Sequence, residues 1–165
     1  MSSSTIRQHY YRHPLYDKMV DEWDLFNTYV DFFVFAGSVG YATIDKTTAA
    51  SYDEAEYAGE GETQQEMLWM HLSNKQTYRA VAASIAYQHT NDPEALVDPK
   101  IQLEVLARYA RAGVERLARE FGESASTPRD GLISFIENQQ PSGESDQGDI
   151  LGNIVDSFDQ SMISE

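Results

Sequence analysis

The amino-acid sequence predicts an all-α or nearly all-α protein, a compact bundle of four to six helices with room for one short strand pair. Three observations lead to this prediction. Apolar residues recur at helical intervals in several separate stretches. Proline stands at the start of several of these stretches, and glycine or asparagine follows some of them. The 165 residues, 41% of them hydrophobic, suffice for one domain with a buried core.

The N-terminal part predicts an arm followed by two helices. Residues 1–13 have no period and are expected to form an irregular arm. Pro14 suits a first helical turn, and a short amphipathic helix is indicated by the i, i+3, i+4, i+7 spacing of Tyr16, Met19, Val20 and Trp23. A second helix is predicted from residue 24 or 25 to Tyr41. Its C-terminal half is apolar on all sides, which places it at the centre of the fold.

The middle of the chain is less regular. Residues 43–65 mix threonine, alanine, glycine and acidic residues, which predicts an exposed acidic loop. Residues 66–72 fit either a short strand or the lead-in to a helix, because so short a run has no decisive period. Ser73 and Gln76 match a capping box. Helical spacing then continues to His89, and the run 91–93, Asn-Asp-Pro, ends the element.

The longest helix is predicted from Pro99 to Phe121, with Asp98 as its N-cap and Gly122 as its stop. A further helix is expected to start at Pro128, with its buried positions at Leu132, Ile133, Phe135 and Ile136. Residues 14–138 therefore form the helical domain. Residues 139–165 form an acidic linker and C-terminal tail.

Small residues interrupt the large apolar faces of two helices. These are Gly37 and Gly40, with Ala36, on the second helix, and Gly113, with Ala110, on the longest one. A missing side chain lets two backbones approach, so these positions predict a close helix crossing.

The charge of the chain limits its partners. Twelve Lys and Arg stand against 27 Asp and Glu, giving a net charge of −15, and only four residues are lysine. Such a charge disfavours non-specific binding to nucleic acid and to anionic membranes. We hypothesise a proteome adapted to molar salt, in which the Debye length falls to about 3 Å. An ordinary acidic cytosolic protein is the alternative.

No export signal or membrane span is predicted. The N-terminus lacks the apolar stretch of a secretory signal. The most apolar run, residues 29–42, is shorter than the roughly 20 residues that cross a bilayer. A cytoplasmic location is therefore expected.

The residue inventory predicts neither a cofactor nor an enzyme. The chain contains no cysteine, which excludes disulfides, thiolate metal sites and cysteine nucleophiles. His9 and His13 have the i, i+4 spacing of a metal pair, but they lie in an aperiodic segment without a third ligand nearby. No Ser-His-Asp order and no phosphate-binding loop is present. A hydrolase or nuclease that uses carboxylates is the minor alternative.

Asp31 is the carboxylate that draws attention, because aromatic and aliphatic residues flank it on a helix that should be nearly buried. A buried carboxylate must be paired or neutralised. A salt bridge to an arginine of a neighbouring helix such as Arg79, or a place on the helix's exposed strip, is the structural interpretation. The functional interpretation is a general base or a group that faces a ligand.

The longest helix carries the main concentration of basic residues, with Arg108, Arg111, Arg116 and Arg119 away from its apolar stripe. Such a ridge could follow a phosphate backbone. Glu104 and Glu115, however, each precede an arginine by four residues, which favours ion pairs within the helix. A solvated, salt-bridged face is the preferred interpretation.

The tail contains an apolar stripe at helical spacing, made of Ile150, Leu151, Ile154, Val155 and Phe158. One interpretation is disorder or loose packing on the parent domain. The other is a short helix that docks in a groove of a protein partner.

Three segments resemble a known family. They are the run 28–36, TYVDFFVFA, with Gly40 shortly after it, and the later runs 85–87, IAY, and 91–96, NDPEAL. These runs resemble the small Dnd system-associated proteins, which are encoded beside genes for DNA phosphorothioate modification and its companion restriction machinery. The similarity spans roughly residues 14–137 and covers the order of helices and turns.

The resemblance implies an accessory protein in DNA-based defence and transfers no catalytic residue. We therefore expect a non-catalytic accessory or regulatory protein that binds larger protein partners of a DNA-modification or restriction system, with a homodimer as a further option. The alternative is a DNA-binding regulator that uses the arginine ridge. The acidic loading of this chain, its segment 43–65 and its acidic tail all disfavour direct contact with DNA.

Overall fold

Two long helices form the centre of the molecule. The computed structural model describes residues 6–122 and 128–139. Its α-helices are α1 (Leu15–Asp17), α2 (Tyr29–Thr43), α3 (Lys46–Ser51), α4 (Glu54–Ala58), α5 (Trp69–Ser73), α6 (Gln76–Thr90), α7 (Pro99–Gly122) and α8 (Pro128–Gln139). Two strands, β1 (Arg7–Tyr11) and β2 (Gln64–Leu68), pair in antiparallel fashion. The mostly helical class and the short strand pair are confirmed. The helices described here outnumber the four to six predicted.

The core of the fold is the crossing of α2 and α7, where the two backbones touch. A Cβ atom added to Gly40 would lie 1.8 Å from the carbonyl oxygen of Tyr109, and one added to Gly113 would lie 1.7 Å from that of Ala36. No side chain fits at either position. The predicted close crossing at small residues is confirmed, and Gly37 extends it by packing against Leu106.

Helix α2 begins at Tyr29, later than the predicted residue 24 or 25. Asp24 has a φ of 53°, a left-handed conformation that interrupts the helical path. The true start is set by Thr28, whose Oγ1 accepts a hydrogen bond from the Asp31 N–H at 3.1 Å, while the Asp31 carboxylate accepts from the Thr28 N–H at 3.2 Å. This is a capping box with aspartate at the third helical position. Local hydrogen bonding, not apolar periodicity, determines where the helix begins.

The N-terminal segment differs from the predicted arm, because residues 7–11 form β1. Its register pairs Arg7 with Leu68 and Tyr11 with Gln64. Tyr10 is buried and its ring lies 5.2 Å from that of Phe33 on α2. A strand of five residues whose partner lies far along the chain shows no local period that would predict it.

Residues 43–65 also differ from the predicted exposed loop. They form α3 and α4, a short 3-10 turn, Gly61–Thr63, and the start of β2. Asp45 and Asp53 are the N-caps of α3 and α4, accepting hydrogen bonds from backbone N–H groups at 2.8 and 2.9 Å. Both helices are too short to display a stripe, and they bury Ala49, Tyr57 and Ala58.

The remaining elements follow the predicted order. Tyr16 is buried in α1, and Met19 is buried in the π-helical turn that follows it, Lys18–Glu22. The predicted Ser73 capping box is wrong, because Ser73 ends α5 and Lys75 is the N-cap residue of α6. Asn91 closes α6 in a left-handed conformation.

Helices α7 and α8 complete the C-terminal part of the described chain. Asp98 accepts the Lys100 N–H at 2.9 Å, which agrees with its predicted role as the N-cap of α7. In α8, Leu132 and Phe135 are buried, whereas Ile133 is exposed, contrary to the prediction.

Candidate functional site

A cleft of about 680 Å³ opens between β2 and the N-terminal ends of α2 and α6. We call it the β2 cleft. Its walls are residues 65–67 of β2, residues 27–31 at the start of α2, and His71, Asn74, Lys75 and Tyr78 at the α5–α6 corner. Its volume lies within the roughly 300–1,000 Å³ that is usual for ligand sites. The β2 cleft is therefore the candidate functional site.

Asp31 lies in the wall of this cleft and is 7% exposed. Its Oδ1 accepts hydrogen bonds from the Tyr78 hydroxyl at 2.5 Å and from the Lys75 Nζ at 3.1 Å. Its Oδ2 accepts from the Thr28 N–H in the capping box. The partner in its ion pair is Lys75, one helical turn before the Arg79 proposed from sequence. Its place in the first turn of α2 adds the favourable field of the helix N-terminus.

The two side chains on Asp31 differ in their exposure. Tyr78 is buried, and burial together with the hydrogen bond to Asp31 raises the pKa of its phenol well above 10. The phenol therefore stays protonated and donates to the carboxylate. The Lys75 side chain is 52% exposed, and its Nζ also lies 5.0 Å from the centre of the Tyr78 ring. Charge is balanced inside the cleft by groups of the protein itself.

Glu66 is a second carboxylate in the lining, and it pairs with Arg7 at 2.9 Å. The other polar groups of the lining are mostly neutral. Asn27, Gln65 and Asn74 supply side-chain amides, each able to donate and to accept hydrogen bonds. Val30 and the buried Met67 supply apolar surface. This mixture suits a ligand that combines an amide-like hydrogen-bonding outline with apolar side chains.

Tyr29 joins the cleft to an acidic corner. Its hydroxyl lies 2.8 Å from Asp17 Oδ1 and 2.7 Å from Asp21 Oδ2, and these two contacts raise the pKa of the phenol. Arg12 also bonds to Asp17 and, with the tyrosine hydroxyl, holds the pKa of Asp17 below its usual range. One phenolic hydrogen cannot serve both acids. Arg12 pairs with Asp17, and Asp21 has no ion pair among the described residues.

The predicted arginine ridge divides into two pairs. Arg108 and Arg111 are each 19% exposed, and their guanidinium groups bind other parts of the same chain. Arg108 donates to the Tyr52 carbonyl at 2.8 Å and lies 4.1 Å above the Tyr57 ring. Arg111 donates to the Glu56 carbonyl at 3.0 Å. These two side chains attach residues 49–57 to α7.

The second pair of arginines remains at the surface. Arg116 pairs with Glu120 at 3.1 Å, and Arg119 is exposed. The predicted pair of Glu104 with Arg108 is present at 3.6 Å. Glu115 pairs with Arg111, one turn before it, at 2.6 Å and not with the predicted Arg119. Two exposed or half-buried arginines make a much smaller basic surface than the four predicted.

The predicted pair of His9 and His13 is not a metal site, and His13 serves local structure. His13 Nδ1 accepts the Leu15 N–H at 3.0 Å, and its pKa is lowered by burial and by the nearby charge of Arg111. His9 lies on β1, so the two do not share a helical face. Among residues 6–122 and 128–139, no cluster of three or more His, Asp or Glu is placed to hold a metal ion.

A second, shallower groove of about 360 Å³ lies on the outer face of α6, where Trp69, Ala83, Leu96 and Val97 contribute to its lining. Val97 is 78% exposed and Leu96 48% exposed. The predicted docking residues of the tail, Ile150, Leu151, Ile154, Val155 and Phe158, lie outside the described residues.

Fold and site together define a small, mostly helical protein with a polar, charge-balanced cleft at the edge of a two-stranded sheet. The chain belongs to the family described as DNA sulphur modification system-associated protein 4, whose family model matches residues 11–152. The resemblance noted from the sequence is thereby confirmed. Comparison with curated proteins and with solved structures gave no match. In the described residues no helix combines the length and apolarity needed to span a bilayer.

Sequence reasoning found Asp31 but missed the residues that surround it. Lys75 and Tyr78 sit at the start of α6, and no local pattern connects them with a residue 44 or 47 positions earlier. The Thr-x-x-Asp spacing of residues 28–31 was the available signal. Recognition of that capping box would have placed Asp31 at the helix N-terminus, where other elements can reach it.

Proposed function

We propose that this protein is a non-catalytic accessory or regulatory subunit that binds larger protein partners in a DNA sulphur modification system. Family membership supplies the setting. The observation that carries the proposal is the construction of the β2 cleft, in which the buried carboxylate of Asp31 is already bonded by three donors of its own chain. The cleft thus offers shape and neutral hydrogen-bonding groups.

A catalytic role fits this construction poorly. A general base must accept a proton from the substrate, and Asp31 would first have to release Tyr78, Lys75 or Thr28. The high pKa of Tyr78 makes its phenol a poor proton donor near neutrality. These contacts support binding as the function of the cleft. A role in anti-phage defence or self/non-self discrimination is part of the same proposal.

Direct DNA binding is the competing hypothesis, and the structure changes how it should be tested. Reversing the charge of Arg108 or Arg111 would also disrupt their hydrogen bonds within the protein, so a loss of DNA binding could not be assigned to a lost DNA contact. The exposed end of the ridge, Arg116 and Arg119, is the suitable target. A DNA-binding regulator would lose affinity in the double variant Arg116→Glu/Arg119→Glu, and its binding would weaken steeply with salt.

The decisive experiment joins purified components. The tagged chain is mixed, at the salt concentration of its native cell, with each purified protein of the modification system and separately with unmodified and phosphorothioate DNA. The proposal expects a stable complex with at least one protein and no salt-sensitive binding to DNA alone. Binding to DNA that is lost in the Arg116→Glu/Arg119→Glu variant would replace it with the DNA-binding hypothesis.

Truncation after Gln140 tests the tail within this proposal. We expect the melting temperature to stay nearly unchanged, while association with a partner or a second copy weakens, because a short apolar segment offsets its ordering entropy only partly by itself. Differential scanning calorimetry and light scattering measure the two effects. A truncated chain that unfolds or aggregates would contradict the prediction and assign the tail to the core.

A further inference from the structure

The β2 strand has a free hydrogen-bonding edge. Residues facing each other in an antiparallel pair alternate between bonded and non-bonded pairs. The Arg12 N–H donates to the Thr63 carbonyl at 2.8 Å, and the Trp69 N–H donates to the Ile6 carbonyl at 2.9 Å. Counting inward from these two bonds, Glu66 occupies a non-bonded position opposite His9. Its N–H and carbonyl therefore face away from β1, and no third strand borders β2 in the described chain.

This free edge faces the β2 cleft. Three consecutive residues, 65–67, line the cleft, although their side chains alternate between the two faces of the strand. Three consecutive lining residues therefore indicate that the edge of the strand contributes to the wall. From β1 only Tyr10 reaches the cleft among the residues described, and α4 packs against β1. The open side of the sheet and the cleft are thus the same place.

An extended peptide fits the chemistry of this place. A peptide that adds a strand satisfies the exposed N–H and carbonyl of the edge, while pockets beside it receive alternate side chains. The side-chain amides of Asn27 and Asn74 also line the cleft and can donate hydrogen bonds to such a strand and accept them from it. Val30 and Met67 offer apolar surface between the two walls.

The charge around the cleft selects a basic segment. Lys75 is engaged by Asp31. Glu66 is exposed, and its ion pair with the exposed Arg7 is open to solvent. The Asp21 carboxylate beside Tyr29 has no ion pair among the described residues. The whole chain adds a net charge of −15. Lys or Arg side chains on the incoming strand would meet these carboxylates, and an acidic segment would be repelled. The chain's own tail from Asp149 to Glu165, which contains no basic residue, is disfavoured by the same argument.

We propose that an extended, Lys/Arg-bearing segment of a protein of the modification system adds to the free edge of β2 as a third strand. This inference rests on the proposed function and specifies its binding site. Proteins that handle DNA commonly carry basic surface segments. When this acidic chain binds such a segment, it would compete with DNA for the same basic side chains. Binding would thereby regulate the partner's contact with DNA.

The first test uses peptides. An array of short overlapping peptides covering the proteins of the system is probed with the labelled full-length chain. Peptides that bind should carry Lys or Arg and few acidic residues. Methylation of alternate backbone nitrogens on the strongest binder, which keeps every side chain, should weaken binding at least about tenfold because the ladder bonds are lost. Equal binding of the methylated peptide would overturn the strand-addition proposal.

A matched pair of variants tests the edge from the protein side. Glu66→Pro removes the outward N–H but no bond to β1, and proline is tolerated at such edge positions. Glu66→Ala removes the same carboxylate and its ion pair with Arg7, and it keeps the N–H. The proline variant should bind the peptide about tenfold more weakly than the alanine variant. Equal affinities would place the peptide elsewhere.

Hydrogen exchange keeps the test valid if the proline variant fails to fold. In the wild-type chain, binding of the unmethylated peptide should slow exchange of the Glu66 and Leu68 amides, which face the open edge. Unchanged exchange at both amides would refute the proposal. A tail peptide from residues 149–165 that produces this protection as strongly as the basic peptide would also refute it.

The same variants separate this inference from the proposed function. If a purified protein of the system binds the wild-type and the Glu66→Pro chains equally, the proposed function stands and the β2 edge is not its site. If no protein of the system binds either chain, the proposed function itself fails. Weaker binding of Glu66→Pro than of Glu66→Ala by that protein supports both.

Discussion

Helix α2 contributes its two ends to two contrasting regions. Its C-terminal half meets α7 through Gly40 and Gly113, with backbone against backbone and no room for a further atom. Its N-terminal turn borders the β2 cleft, where Asp31, Lys75 and Tyr78 surround open volume. One end of the helix is fixed by close packing, the other by hydrogen bonds and charge.

This difference suggests a division of labour along one helix. A close-packed crossing cannot change without moving backbone, so it holds the fold. A wall of polar side chains can exchange its partners with a ligand while the backbone stays in place. Stability is therefore expected to depend on the α2–α7 crossing, and binding is proposed for the β2 cleft.

The largest effect is expected from Gly113→Ala. The added methyl group would overlap the carbonyl of Ala36, so α2 and α7 must separate or bend. We expect a loss of about 3 kcal/mol or more in the free energy of unfolding. Chemical denaturation measures this loss.

Gly61→Ala is the control for that substitution. Nothing lies within 4 Å of the position that its methyl group would take, and the φ of 56° is the main penalty. The cost should be about 1 kcal/mol. If Gly113→Ala were no more destabilising than Gly61→Ala, close packing at the α2–α7 crossing would not be what stabilises the fold.

Asp31→Ala probes the other end of α2. The change removes half of the capping box and leaves the buried Tyr78 hydroxyl without this acceptor, which should cost about 1–3 kcal/mol. Lys75→Ala should cost under about 1 kcal/mol, because the lysine is half exposed and its ion pair is screened. Urea denaturation of both variants and of their double variant measures the coupling. A larger loss of unfolding free energy for Lys75→Ala than for Asp31→Ala would show that the ion pair, and not the capping box with the Tyr78 bond, stabilises this end of α2.

Sequence patterns predicted the crossing better than the cleft, and the reason is physical. The glycines 37, 40 and 113 interrupt apolar stripes that are visible within single helices, so local periodicity identifies them. The cleft is assembled from β2, the start of α2 and the start of α6, which are distant in sequence. Its parts are brought together by the strand pair and by the ion pair of Asp31 with Lys75, and neither leaves a local period.

The arginines of α7 show the same limit. Helical spacing placed Arg108 and Arg111 correctly on the polar face. It could not show that residues 49–57 would fold over that face. Backbone carbonyls of this segment accept hydrogen bonds from both arginine side chains. Which part of the polar face of α7 is exposed to solvent depends on this covering segment, and the sequence of α7 alone does not reveal it.

Tyr16 offers a smaller test at the N-terminal half of α2, where it packs against Tyr29 and Phe32. Its ring lies 4.8 Å from that of Phe32 on α2, and its fully buried hydroxyl has no hydrogen-bond partner. Tyr16→Phe should raise the free energy of unfolding by up to about 1 kcal/mol, since it removes an unsatisfied polar atom. Thermal denaturation measures the gain. A loss of stability would mean that the hydroxyl is hydrogen-bonded in solution and that this part of the core is not purely apolar.

The smallest effect concerns pH at the crossing. His89 bonds to the Tyr109 hydroxyl at 2.9 Å, and the Tyr109 carbonyl faces Gly40. Burial, with the charges of Arg108 and Lys46, lowers the pKa of His89 below 6.5. Burial also raises the pKa of Tyr109 to about 12, so the phenol stays neutral throughout. The unfolded chain therefore binds a proton at His89 more readily than the folded chain does.

The sign of the pH effect follows from that difference. Stability from neutral His89 is present above about pH 6.5 and declines as the pH falls from there toward its lowered folded value. Urea denaturation in molar salt between about pH 7.5 and 5 should show this decline, and His89→Gln should reduce it. His13, whose pKa is lowered in the same direction, supplies the remainder, which a His13→Asn/His89→Gln double variant should reduce further. The lowered pKa values of Asp17 and Asp45 act only below about pH 4. A wild-type chain that gains stability on acidification over this range would show that neutral His89 does not support the crossing.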